Sequence, residues 1–294
     1  MCNKLPGSMS HVVCSLYYKK TSPKKECAMI LDSPYLFAYC TALVAVLGLC
    51  MGSFLNCMAW RMTHGESVLR GRSHCTSCGH ALGPLDLVPV LSWAFSRGKC
   101  RYCGEHVSWR YPATELLCAI VYVSIWLVYG FTIETIELIG FASVLLVLSL
   151  TDLDTYIIPN ATIIAAIAIR ALYLVATGLL GTGDALTLAR DSLIGGVVIV
   201  IPVYVLSIVM DRVLGRNSLG GGDVKLLFVA GLYFGWVQCM FLIIVACILG
   251  LLLGAIVSRD SKYIPFGPAI ALACWLCMLV GGQAVSWYLG LVGL

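Results

Sequence analysis

Leu219-Gly220-Gly221-Gly222-Asp223-Val224-Lys225-Leu226 sets three glycines and a carboxylate at the threshold of a 32-residue apolar stretch, 226–257. Glycine lets a backbone take positive φ and lets another element approach closely, which a side chain would prevent. An acid at the edge of a hydrocarbon-embedded segment is costly, and such residues mark functional sites. The acid also needs a partner. One lies upstream in Thr151-Asp152-Leu153-Asp154-Thr155-Tyr156-Ile157-Ile158-Pro159-Asn160, which reads as a second acidic loop between apolar runs. Two carboxylates brought together do not both ionise easily, so the pair is an acid and a base at once. That is the chemistry of an aspartic protease.

Composition explains why both acids fall at the ends of apolar runs. Hydrophobic residues make up 60% of the 294 and charged residues 12%, against about 25% charged in a soluble chain. The sequence therefore reads as an all-α polytopic membrane protein in contact with the lipid bilayer. A net charge of +4, scattered along the chain, does not suit a nucleic-acid partner. Spans of about 20 residues are expected at 35–60, 113–130, 133–151, 161–180 and 191–210. The stretches 226–257 and 264–293 follow. The first of these is too long for one span, and Gly231, Gly235 and Trp236 suggest a break into two, for about eight helices.

Residues 1–34 carry five lysines and no usable periodicity. Their apolar run at 12–16 is too short for a signal peptide, so the reading is a mobile tail, or a start at Met29. Residues 61–112 form the polar insert, and 113–294 the remaining membrane domain. The insert holds seven Lys/Arg, and Arg212, Arg216, Lys225, Arg259 and Lys262 lie in later loops on the same side, against Arg190 opposite. By the positive-inside rule the insert and both aspartate motifs face the cytoplasm together. Asp211 and Asp260 read as interfacial charges. Arg170, alone within a span, is expected to face the protein interior or to snorkel.

Most of the 15 cysteines lie in apolar spans, where they behave as small hydrophobes. Cys75-x-x-Cys78 and Cys100-x-x-Cys103 are different: two knuckles separated by 21 residues, the spacing of a four-cysteine zinc ribbon. A domain of this size has little core, so Zn²⁺ would supply much of its folding energy. Unmetallated thiols in a mobile loop are the alternative. His74, His80 and His106 read as surface or supporting residues, with a swapped ligand as the other possibility.

The residues now in view resemble the type IV prepilin peptidases. The resemblance is carried by Gly52-Ser53-Phe54-Leu55-Asn56, Gly71-Arg72-Ser73-His74-Cys75 through Cys78-Gly79-His80, and Leu91-Ser92-Trp93. It continues through Arg97 to Gly104, Arg110-Tyr111-Pro112 with Glu115, and both aspartate motifs, covering roughly 35–290. It implies a membrane aspartic endopeptidase of the G-x-G-D class in the bacterial inner membrane. Such enzymes cut the basic leader from prepilins and pseudopilins after a glycine on the cytoplasmic face. Many also methylate the new N-terminus with S-adenosylmethionine. By motif match the catalytic pair maps onto Asp152, seven residues before Pro159, and Asp223, with Asp154 as the rival for the first position. Gly220, Gly222 and Lys225 fall on the substrate side, and Lys225 would favour ionisation of a nearby acid. Asn160-Ala161-Thr162 has the glycosylation pattern but a cytoplasmic position. A proton-coupled transporter would place its acids at mid-bilayer with repeat symmetry. A non-enzymatic scaffold of a pilus or secretion machine would not need two acids on matched motifs.

Overall fold

The computed structural model describes residues 33–68, 70–215, 220–257 and 265–292. Most of the tail expected over 1–34, with Met29, lies outside those residues, as do Arg216, Leu219, Arg259, Asp260 and Lys262. Among the described residues the chain is helical, with α1 Pro34–His64, α2 Leu91–Phe95, α3 Arg110–Tyr129, α4 Ile133–Thr155, α5 Asn160–Leu179, α6 Ala185–Leu214 and α7 Gly221–Val257. Then come α8 Gly267–Leu276, a π-helical turn over Cys277–Gly281, and α9 Gly282–Val292. Among the described residues seven helices are long and apolar enough to cross a membrane, α8 to α9 counting as one.

The sequence explains the starts and stops. Pro34 opens α1, where a missing N–H costs nothing. Thr132 and Asp184 cap α4 and α6 by accepting the amide protons of Thr135 and Thr187. Several boundaries differ from the sequence reading: α6 spans Ala185–Leu214 against 191–210, α3 begins at Arg110 against 113, and three further ones bear on the site. α1 runs on to His64 and closes at Gly65, which has φ 71°; the Arg61 guanidinium, 7% exposed, reaches forward to donate to the carbonyls of Ser67, Arg70 and Gly71. α4 continues past 151 to Thr155, where Tyr156 adopts φ 55° and its N–H closes on the Asp152 carbonyl. Asp152 and Asp154 therefore sit on the last turn of a helix, not in a loop. Likewise α7 starts at Gly221, which puts Asp223 in its first turn.

α7 is where the expected break falls. Gly235 has φ 71° and ψ 174° inside otherwise helical backbone, a conformation suited to glycine. Contacts show what it does to the path. Gly222 lies under Ile158, and Gly250 lies against Phe266. Gly267 lies against the Asp152 carboxylate. All three pairs belong to one end of the bundle, so the chain descends over 221–234, reverses at Gly235, and returns over 236–257. Counting the two arms, the described residues hold eight apolar segments. The first arm, about 21 Å at 1.5 Å per residue, does not cross a hydrocarbon core about 30 Å thick. It is sheltered by α6, whose Gly195 leaves no room for a Cβ against the Gly231 carbonyl (2.5 Å from an ideal Cβ).

At the foot of that arm Tyr233 stacks on Phe141 of α4, ring centroids 3.8 Å apart, and donates to the Ala166 carbonyl of α5 at 2.8 Å. Arg170, in α5, meets Glu137 of α4 at 2.8 Å and Ser192 of α6 at 2.7 Å, with its guanidinium 5.4 Å from the Tyr233 ring centre. Arg170 thus faces inward. Phe141 lies eleven residues before Asp152 and Tyr233 ten residues after Asp223, so the stack is about 15–17 Å below each acid along its helix. It pins α4 and α7 at a common depth.

Candidate active site

Asp152 is 5% exposed, on the inward side of the last turn of α4. Its carboxylate accepts the backbone N–H of Gly267 at 3.0 Å. That amide belongs to the first turn of α8, where N–H groups have no helical partner. A Cβ on Gly267 would lie 2.7 Å from Asp152 Oδ2, so only glycine lets the amide come this close. Asp223 is half-buried and near enough to Asp152 for the charge on one to act on the other. Its own N–H donates to the Gly220 carbonyl at 3.0 Å. A Cβ on Gly220 would lie 2.9 Å from Asp223 Oδ2, and one on Gly222 would lie 2.8 Å from Ile158 Cβ. Gly222 thus lets the α7 start lie against the segment after α4, and Gly220 leaves room for the Asp223 carboxylate. Among the described residues neither aspartate has an ion-pair partner.

The neighbouring charges point elsewhere. Lys225 Nζ donates to Asn160 Oδ1 at 2.8 Å, tying α7 to the first residue of α5. Asp154 takes both prongs of the Arg110 guanidinium, whose Nη2 also donates to the Leu150 carbonyl at 3.2 Å. Asp152 and Asp154 are therefore turned apart, one into the bundle and one to its rim. Sequence reasoning missed Gly267, Arg110 and Glu137. The Gly267-Pro268 pair was a usable signal, because proline in a first turn marks a helix start and its exposed amides attract an acid. Nothing local in the sequence pairs Arg110 with Asp154 or Arg170 with Glu137.

Cys75, Cys78, Cys100 and Cys103 bring their four sulfurs within 4.8 Å of one another. The knuckles repeat one local design. The Gly79 and Gly104 amides donate to the Cys75 and Cys100 carbonyls at 2.9 Å, and each turn closes through a glycine of positive φ. Amide donors from Cys78 and Ser77 hold the Cys75 thiol down at about 6. At Cys103 the Glu105 amide lowers the value, but burial and the neighbouring sulfurs outweigh it and push it up to about 12. Four mutually opposed thiols of this kind fit a divalent cation, whose charge lets all four ionise. Zn–S bonds of about 2.3 Å place tetrahedral sulfurs about 3.8 Å apart, and Cys75 and Cys103 are at 4.0 Å. The donor set is all sulfur. His80 stacks on Tyr102 at 3.6 Å, and His74 lies edge-on to Trp60. Asp86 joins the module by accepting from the Gly83 amide and Tyr102 and by pairing with Arg101, which holds its carboxyl below the usual range.

Comparison with known proteins bears directly on this arrangement. The Bacterial Peptidase A24 N-terminal domain matches residues 46–129, and the Type IV leader peptidase family matches residues 139–255. A prepilin leader peptidase/N-methyltransferase of Pseudomonas putida is 30% identical over 87% of this chain and 96% of its own length. The chain belongs to the type IV leader peptidase family. A relative of the same description from Bacillus subtilis is 29% identical over 84% of this chain and 97% of its own length. One from Myxococcus xanthus is 32% identical over 71% and 60%. No solved structure matches. The four cysteines fall inside the N-terminal domain match and both aspartates inside the peptidase match. Membership makes the chain a multi-pass membrane peptidase.

Proposed function

We propose that the chain removes the leader from type IV prepilins or pseudopilins at the cytoplasmic face of the bacterial inner membrane, with Asp152 and Asp223 as its catalytic pair. The observation that carries this is the convergence of two acids from α4 and α7 at one end of the bundle, with no cation among the described residues to neutralise either. One aspartate takes a proton from water, and the resulting hydroxide forms a bond to the scissile carbonyl carbon. The protonated partner hydrogen-bonds the carbonyl oxygen. The C–N bond then breaks, and the leaving amine takes a proton from the pair. The Gly267 amide holds Asp152 in place throughout. Asp154, occupied by Arg110, is assigned to bracing the end of α4.

The substrate reading follows from the same geometry. An apolar helix enters the bilayer beside the bundle while its basic leader stays in the cytoplasm, which brings the junction to the depth of the aspartates. Gly220 is exposed beside Asp223 and gives the substrate backbone room to approach. Gly222 seats the α7 start under Ile158, and Lys225 lies at the rim of that approach. Cytoplasmic orientation is supported by the distribution of lysine and arginine among the loops.

Cys75, Cys78, Cys100 and Cys103 are assigned as the ligands of a structural Zn²⁺ that folds the insert. Methylation of the new N-terminus is the family's second activity and extends the proposal. For S-adenosylmethionine the hollow beside the insert offers Leu85, Val88, Leu91, Ser92, Phe95 and Arg101. One hydroxyl and one guanidinium do not match a ribose and a purine, so no step is derived through that cofactor. The test is to incubate membranes containing the full chain with a prepilin-like substrate and to sequence the product. A single cut between leader and apolar helix supports the reading. An uncut substrate, with the protein folded and inserted, moves a non-enzymatic scaffold to the front.

A further inference from the structure

The insert between α1 and α3 carries an apolar surface that neither the zinc site nor the aspartate pair uses. Over residues 84–95, Leu85 is 71% exposed, Leu91 54% and Phe95 82%. They line a shallow hollow of about 230 Å³ together with Val88, Ser92 and Arg101. On a cytoplasmic module such a patch would cost free energy in water, and large exposed apolar side chains grouped together mark an interaction surface.

Its depth identifies what covers it. α1 has 31 residues, about 46 Å of helix, and a hydrocarbon core about 30 Å thick takes about 20 of them. Tyr35 and Tyr39 are exposed at its start, as interfacial aromatics are, and Asn56, Arg61 and His64 lie towards its end. The inner edge of the core therefore falls near Gly52 to Asn56. Gly52 is pressed on α3, where a Cβ would lie 2.7 Å from Glu115 Cα, and Asn56 donates to Thr114 at 2.9 Å. Glu115 thus lies at that edge, and its carboxylate accepts the Val90 N–H at 2.7 Å and a bond from Ser53. Val90 has φ 60° and ψ −48°, a conformation that a β-branched residue holds only when its surroundings compel it. The turn fixed in this way starts Leu91–Phe95 beside Glu115, at the depth of the hydrocarbon boundary, with Leu91 and Phe95 exposed. Trp109, 71% exposed, lies just before α3 at the level of the headgroups.

We infer that residues 84–95 form an interfacial ledge whose Leu85, Leu91 and Phe95 side chains enter the acyl layer of the adjoining leaflet. Arg97 and Lys99, both exposed and next in the chain, then fall among the lipid phosphates. Glu115 is the positioning residue for the ledge, because its carboxylate holds the strained turn at Val90. The ledge docks the zinc module on the membrane and so fixes its height relative to the site. This inference needs only the membrane spans and does not depend on the proposed cleavage.

The test places the photoreactive residue p-benzoylphenylalanine at Phe95, and separately at Leu91, in the full chain reconstituted into phosphatidylcholine–phosphatidylglycerol vesicles. A control carries it at exposed Glu105. After illumination, mass spectrometry reads what each position has captured, and zinc content confirms that the module remains folded. The ledge predicts lipid adducts at Phe95 and Leu91 several-fold above those at Glu105. Adducts to polypeptide in their place would overturn it in favour of a protein-docking surface. Adduct yields no higher than at Glu105 would overturn it in favour of a patch left in water.

Discussion

Helix α4 carries an acid cluster near each end, and the two are resolved in opposite ways. Near its start, Glu137 meets the guanidinium of Arg170 at 2.8 Å, with Ser192 and the Tyr233 ring closing the shell. Near its end, Asp152 accepts a backbone amide, and the start of α7, which carries Asp223, is seated against Ile158 at the same end of the bundle. Both places are buried. An acid that meets a cation in a buried place has its charge matched and becomes part of the scaffold. An acid that meets another acid keeps its proton chemistry available. The same helix therefore holds a fixed joint at one end and a reactive pair at the other, with the Phe141–Tyr233 stack between them.

Erasing that difference should have the largest effect. Asp223→Lys would give Asp152 a cation and turn the reactive pair into a second joint. Cleavage in membranes should fall about a thousandfold or more, as when a member of a catalytic unit is lost, while the melting temperature does not drop. Preserved cleavage would break the contrast. The converse change is at the other cluster. Arg170→Met leaves Glu137 buried without its cation and should destabilise the protein by about 3–5 kcal/mol. Adding Glu137→Met should restore much of the loss, since a buried pair replaced as a whole is often tolerated. Thermal unfolding of the two variants in detergent measures both.

A smaller, more local effect is expected at the insert. Chelation, or Cys75→Ser, should remove the metal and abolish hydrogen-exchange protection over 71–107, while that of α4 and α7 is retained. Metal loading should also fail on acidification, because the ligands must be deprotonated to bind. Cys75, held at about 6, ionises far more readily than Cys103. Smallest of all is Arg110→Gln. Its pair with Asp154 is partly exposed, and such pairs contribute about 0.2–1 kcal/mol. A larger loss of stability would mean that the rim pair does more than brace α4.

What the sequence made legible follows from how local each signal is. Apolar length placed the long helices, and Gly231, Gly235 and Trp236 marked a break that the structure puts at Gly235. The cysteine spacing was enough to group four sulfurs that the structure holds within 4.8 Å. The ends of α4 and α7 were harder to place. Serine and threonine hydroxyls bonding back along α4 at Ser149, Thr151 and Thr155 accompany its extra turn, in a stretch that reads as a loop by hydropathy alone. Long-range partners were hidden for a different reason. Gly267 lies 115 residues from Asp152 and Glu137 lies 33 from Arg170, and no spacing rule links positions on separate helices.

The central claim is that Asp152 and Asp223, and not the nearby Asp154, carry the reaction. The direct measurement is cleavage of a prepilin-like substrate in membranes by Asp152→Asn, Asp223→Asn and Asp154→Asn beside the unaltered chain, at matched protein levels. The expected result is that the first two are inactive and Asp154→Asn keeps most of its activity. Loss of cleavage at Asp154 with full activity at Asp152 would contradict the account, because it would put the reactive acid on the rim with Arg110 and not against Gly267.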